Sequence, residues 1–157
     1  MRYQDQLVRQ TQGALDDICR AALAVPEDRW DWSPGGAARS VLSQMQEIAT
    51  SAALFLPVVR EGEFAPLDHI RAESARAREE FGSVERCIVG ARSSTSELCA
   101  LIAAFPDDRL DVEIVVPFGG GSTWTMADVL GKHYWNLVYH HGQINQLQLI
   151  LGDRAMH

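Results

Sequence analysis

The stretch from about Met126 to Leu151 constrains the fold most. It places Met126, His133, His140 and Leu147 in one row at seven-residue spacing, with Leu130, Leu137, Ile144 and Leu151 in the row beside it. Seven residues are close to two helical turns, so both rows run along one side of a single long helix. A face that wide has to be covered by other elements, and Gly152 supplies the stop.

Three earlier segments supply matching faces. Leu7, Thr11, Ala14, Leu15, Ile18, Ala22 and Val25 recur at three- and four-residue spacings until Pro26 ends the first helix. A second helix runs from about Ser40, its N-cap, to Leu56, carrying Val41, Met45, Ile48, Ala52 and Phe55; Pro57 ends or kinks it. A third, about Val84 to Phe105, carries Val84, Cys87, Ile88, Ala91, Leu98, Leu101 and Ile102 and stops at Pro106. The Trp-, Pro- and Gly-rich segment after Pro26 reads as a loop whose Trp30 and Trp32 either cap one end of the core or line a pocket. Residues 60 to 82 are charged and read as a connector with an exposed turn of helix.

The one β-signal is LDVEIVVPFGGGSTWT, where Val112, Ile114 and Val116 alternate with polar positions and the G-G-G of 119 to 121 makes a turn. Two short strands cannot build a sheet alone, so this reads as a hairpin-like crossover before the last helix. The G-G-G lacks the lysine and strand-to-helix context of a phosphate loop. Four helices, two long connections and no internal repeat predict a single all-α domain over residues 1–157, a four-helix bundle.

Composition narrows the function classes. Fourteen Lys and Arg against 21 Asp and Glu give a net charge of -7, with no basic stripe to meet a phosphate backbone, so no nucleic-acid partner is expected. Nowhere do about 18 consecutive apolar residues occur, and the N-terminus has no secretory signal, which predicts no membrane association. Three cysteines without C-x-x-C spacing suit a reduced, cytoplasmic setting.

The histidines of the last helix are not equivalent. His133 and His140 point inward and His141 points away, toward solvent. His133 and His140 lie two turns apart, roughly 10 Å, so a single ion with bonds of about 2 Å takes at most one of them. Each inward histidine is either a satisfied core residue or part of a site. Asn136 stands four residues before His140, the spacing at which two side chains on a helix share a ligand.

The run Y-H-H-G-Q-I ending in L-G-D, preceded by PFGGGSTWTMADVL, resembles the C-terminal signature of the DinB-like (DinB/YfiT-type) family. WSPGGAARSVLSQMQEIA resembles that family's second-helix segment. The resemblance implies a bundle of up-up-down-down connectivity, often a homodimer. It implies one divalent metal ion, nickel or zinc, held by a second-helix His and an H-x-x-x-H pair of the last helix. It further implies transferase, isomerase or hydrolase chemistry on a small-molecule substrate, linked to a thiol such as bacillithiol or mycothiol. Carried over by position, the metal ligands fall on His140, Asn136 and Glu47.

Only one of those three is a histidine. Glu47 is a competent oxygen ligand, whereas a neutral amide binds transition metals more weakly than imidazole. On the helical wheel Glu47 falls with Ser40, Gln44 and Ser51, opposite Met45, as a solvated carboxylate. Facing His140 instead, it would form a metal-free acid/base or structural pair. Two expectations follow: a metal-dependent small-molecule enzyme with an altered triad, or a non-enzymatic dimeric bundle that has lost the site.

Overall fold

The computed structural model describes residues 1–118, 120–155 and 157. Helices α1 (Tyr3–Ala24), α2 (Val41–Glu61), α3 (Leu67–Glu80), α4 (Val84–Ala104) and α5 (Met126–Ile150) are joined by loops and one hairpin, β1 (Glu113–Val115) with β2 (Thr123–Thr125). Four of the helices form a bundle in which α1 and α2 each pack against α4 and α5. α3 buries no residue and lies against α2 outside the bundle.

Side chains at the ends of the bundle fix the helix directions. Tyr3 donates to the Ala127 carbonyl at 3.0 Å and Gln148 to the Ala21 carbonyl at 2.8 Å, so α1 and α5 run parallel. Arg92 pairs with Asp16 and Arg2 donates to the Ala103 carbonyl, which sets α4 antiparallel to α1. Ser51 meets His133 and Gln44 meets His140, which sets α2 antiparallel to α5. The connectivity is therefore up-down-down-up, which corrects the expected up-up-down-down. Only the parallel pair α2 and α4 needs a crossover to return the chain, and α3 supplies it. The other two connections, residues 25–40 and 105–125, join antiparallel helices, and each opens with a turn.

Those two turns correct a second expectation, that the chain holds no repeat. P-E-D-R-W-D at 26–31 and P-D-D-R-L-D at 106–111 each begin with a single 3-10 turn, Glu27–Arg29 and Asp107–Arg109. The Leu42 amide donates to the Trp30 carbonyl at 2.8 Å, and the Ala127 amide donates to Leu110 at 2.9 Å. Ser40 caps α2 by accepting from the Ser43 amide, and Thr125 caps α5 by accepting from Asp128. α1–α2 and α4–α5 are thus two copies of one helix–turn–helix unit. Positions 85 apart in α2 and α5 are equivalent. The helix directions fit a two-fold relation between the copies.

Two further boundaries differ from expectation. α2 continues through Pro57 to Glu61, ending at Gly62 with φ +85. Proline costs the helix one donor, but the Ala53 carbonyl that loses it is exposed, while Val58 and Val59 beyond it are buried. The connector at 60 to 82 contains a full helix, α3. In the hairpin, Gly120 and Gly121 adopt positive φ, while Gly119, included in the expected turn, lies outside the described residues.

The core has two apolar clusters along the bundle. One holds Ile18, Met45, Ile48, Leu137 and Ile144; the other holds Leu98, Ile102, Met126 and Leu130. Trp30 and Trp32 pack against the first, and the Trp30 indole donates to the Val25 carbonyl.

Candidate functional site

His133 sits along α5 between the two clusters. Its Nδ1 meets Ser51 Oγ and its Nε2 meets Thr95 Oγ1, both at 2.8 Å. Burial pushes its pKa down to about 4, so the ring is neutral. With both nitrogens taken it is a satisfied core residue.

His140, one layer along and 2% exposed, is held differently. Its Nδ1 lies 3.2 Å from Gln44 Oε1 and 3.0 Å from Gln143 Oε1. The Gln44 amide nitrogen donates to the Arg39 carbonyl, which turns the amide oxygen toward the ring. Two acceptors at Nδ1 make it a protonated nitrogen and leave Nε2 directed at Glu47. Glu47 Oε1 is 3.1 Å from Nε2, yet off the line of a hydrogen bond, leaving Nε2 a buried polar atom without a partner.

Glu47 is 34% exposed and does not stand in solvent as its helical wheel implies. α2's polar residues Ser40, Gln44 and Ser51 are buried, because that side of α2 also meets the bundle. Glu47 Oε2 pairs with Arg39, whose guanidinium also reaches Ser43. Contact with the His140 imidazole, assisted by Arg39, holds the Glu47 carboxyl down to about 2 against the opposing effect of burial.

Asn136, on α5 one turn before His140, is half-buried and lines the same cleft as Glu47. Among the described residues its side chain makes no hydrogen bond. Of the three predicted ligand positions, His140 and Glu47 are in direct contact, and Asn136 lines a cleft together with Glu47. No group of three His, Cys, Asp or Glu side chains spaced to hold a metal occurs among the described residues.

No role in the site was expected from the sequence for Arg39 and Gln44, which together with the flanking Gln143 orient the pair. Their only signal was spacing: Gln143 three residues after His140, Gln44 three before Glu47. His141, expected in solvent, is half-buried, and its Nε2 is buried without a partner. Burial lowers its pKa. The reason is that α5 is covered by α1 as well as α2.

The cleft, about 350 Å³, lies between α2 and α5. Ser74 and Arg78 of α3 form one side, and Phe118 and Trp124 of the hairpin the other. Edge-to-face contacts of Phe118 with Phe64 and Trp124, at 5.6 and 5.7 Å between centroids, hold the hairpin there. Cys19, Cys87 and Cys99 are buried and unpaired, and burial pushes Cys87 and Cys99 up to about 11, which leaves them inert as nucleophiles.

A family profile described as the DinB superfamily matches residues 7–144. YfiT from Bacillus subtilis, described as a probable metal-dependent hydrolase with an unusual four-helix bundle topology, is 15% identical. It superposes with a TM-score of 0.79 over 96% of this chain and 88% of its own. A mycothiol-dependent maleylpyruvate isomerase is 11% identical, with a TM-score of 0.65 over 90% of this chain and 60% of its own. The colibactin self-resistance protein ClbS, solved in complex with dsDNA, is 13% identical, with a TM-score of 0.67 over 92% and 95%. At these identities the likeness is one of fold. No curated protein matches the sequence.

Proposed function

Because the chain belongs to the DinB superfamily, we propose that the α2–α5 cleft is an active centre for small-molecule transferase or hydrolase chemistry, dependent on a divalent nickel or zinc ion. His140 Nε2, Glu47 Oε1 and the amide oxygen of Asn136 would hold the ion. The unpartnered, buried Nε2 carries this reading. A ring whose other nitrogen is fixed as a donor by Gln44 and Gln143 has the second-sphere support of a metal-ligating histidine. Nε2 and Oε1 lie 3.1 Å apart, close enough for both to reach one ion.

The fit is weaker than for three histidines. Asn136 is a poor donor, and Arg39 already supplies positive charge to Glu47. A bound divalent ion would supply Lewis acidity toward a water or a thiol. The chain's own residues orient the ring, keep Glu47 ionised and screen His140 from solvent. A thiol-linked reaction is the finer form of this reading, which the mycothiol-dependent relative supports.

A second reading has its own observation. Trp135, Val138, Tyr139, Leu149 and Ile150 stand exposed on one face of α5, with Trp135 and Tyr139 stacked at 5.1 Å between centroids. That face supports a homodimer, which is compatible with an enzyme or with a non-enzymatic bundle that has lost its metal. The net charge of -7 supports a protein that does not bind nucleic acid. The ClbS complex means that this argument rests on the chain's charge and not on its fold. Among the described residues no helix is long and apolar enough to cross a membrane, and the free cysteines support a cytoplasmic setting.

The test is metal analysis of protein purified without a polyhistidine tag, followed by zinc and nickel titration of wild type, His140→Ala and Glu47→Ala. One equivalent bound by wild type and lost in both variants is expected. Absence of binding by folded wild type sinks the metal reading in favour of the non-enzymatic bundle.

A further inference from the structure

The same cleft also carries positive charge on two of its walls. Lys132 is the chain's single lysine. Its Nζ lies 4.2 Å from the centroid of the Trp124 ring, which aligns the ammonium without neutralising it. Arg78, on α3, lines the cleft as well. Among the described residues no carboxylate lies within 4 Å of either cation, although most of the chain's other arginines are paired. Asp128, one turn before Lys132, is tied up by Thr125. Among the described residues the one carboxylate on the cleft wall is Glu47, engaged by Arg39 and His140.

The internal repeat gives this arrangement its meaning. Glu47 and Lys132 are 85 positions apart, as are Thr50 and Trp135, and Ser51 and Asn136, and all six line the cleft. The cleft therefore straddles the relation between the two copies. At the paired positions 47 and 132 the copies carry opposite charge. In one copy Arg39 meets Glu47; in the other, the equivalent Trp124 meets Lys132. A molecule in the cleft meets Glu47, which His140 contacts from behind, and two cations on facing walls, Arg78 on the α3 side and Lys132 beside Trp124 of the hairpin.

We propose that Lys132 and Arg78 form an anion-holding subsite, and that the ligand of this protein is a small acid. It would have one carboxylate or phosphate group on a flat apolar body, with the remainder directed at His140 and Glu47. This deepens the functional reading above and rests on it for what happens at His140 and Glu47, but the subsite can be tested apart from the metal.

The single lysine gives a direct probe. Reductive methylation with ¹³C-formaldehyde retains the charge and places a resolved NMR signal on Lys132, distinct from that of the N-terminal amine. Titration at low salt with benzoate, phenyl phosphate, benzyl alcohol and benzylammonium compares ligands of similar body and different charge. Benzoate or phenyl phosphate should shift the Lys132 signal saturably, with at least about tenfold tighter binding than benzyl alcohol and weaker binding at high salt. Whichever of the two acids binds more tightly identifies the anion.

Lys132→Gln and Arg78→Gln should each weaken binding several-fold by calorimetry, and Lys132→Arg should retain it. Equal binding of benzyl alcohol and benzoate, or benzoate affinity unchanged in the Lys132→Gln/Arg78→Gln double variant, overturns the proposal. Metal titration of the same samples separates the two readings. Metal uptake without anion preference refutes the subsite alone; anion preference in a protein that takes up no metal upholds it.

Discussion

Gln44 fixes the tautomer of His140. Its amide donates to the Arg39 carbonyl, so its oxygen must face the imidazole, 3.2 Å from Nδ1. A residue on α2 thereby decides which nitrogen of a residue on α5 is free. Gln44→Leu removes that constraint and leaves Gln143 as the only acceptor. Zinc affinity should fall by about 10- to 100-fold with the fold intact, read by competition with a chromophoric chelator. An affinity equal to wild type would mean that Gln143 alone orients the ring.

Arg39 and a metal ion compete for the same carboxylate. The guanidinium pairs with Glu47 from a position about one-third exposed. Arg39→Met should therefore raise divalent-ion affinity several-fold, since the vacated oxygen no longer shares its charge. Weaker binding would show instead that Arg39 is needed to hold Glu47 in place.

His133 makes the protein acid-sensitive in a defined window. Burial lowers its folded-state pKa to about 4 from the usual 6.5. The unfolded chain takes up the proton first, so stability is complete above about pH 6.5 and declines as pH falls toward 4. The loss reaches at most about 3 kcal/mol. Urea midpoints of wild type should fall more steeply across that window than those of His133→Gln. Parallel slopes would place the sensitivity elsewhere.

The hydroxyls that satisfy His133 are individually needed. Thr95→Val keeps the volume and leaves Nε2 unpaired. A loss of about 1–3 kcal/mol in chemical denaturation is expected, because a buried polar atom then has no partner.

The exposed face of α5 is testable separately. Trp135, at 61% exposure, and Leu149 lie on it. Trp135→Glu/Leu149→Glu should shift sedimentation from dimer to monomer without loss of helicity. Wild type that sediments as a monomer at all concentrations removes the dimer.

Sequence periodicity alone determined where the four bundle helices lie and the main apolar side that each buries. Ser40 does cap α2, the first helix ends before Pro26 and the last before Gly152, and His140 does point inward. These are local properties, set by the 3.6-residue turn and by the unpaired amides at helix starts. The hydrophobic pattern says that a face is buried without saying by which neighbour or in which direction that neighbour runs. Tertiary structure therefore decided that α2 and α4 run parallel, and that Glu47 turns from an expected solvent position onto His140. It also decided that positions 85 apart, Glu47 and Lys132, face one cleft with opposite charge. Each of these depends on contacts between residues far apart in the chain, where no periodicity connects them.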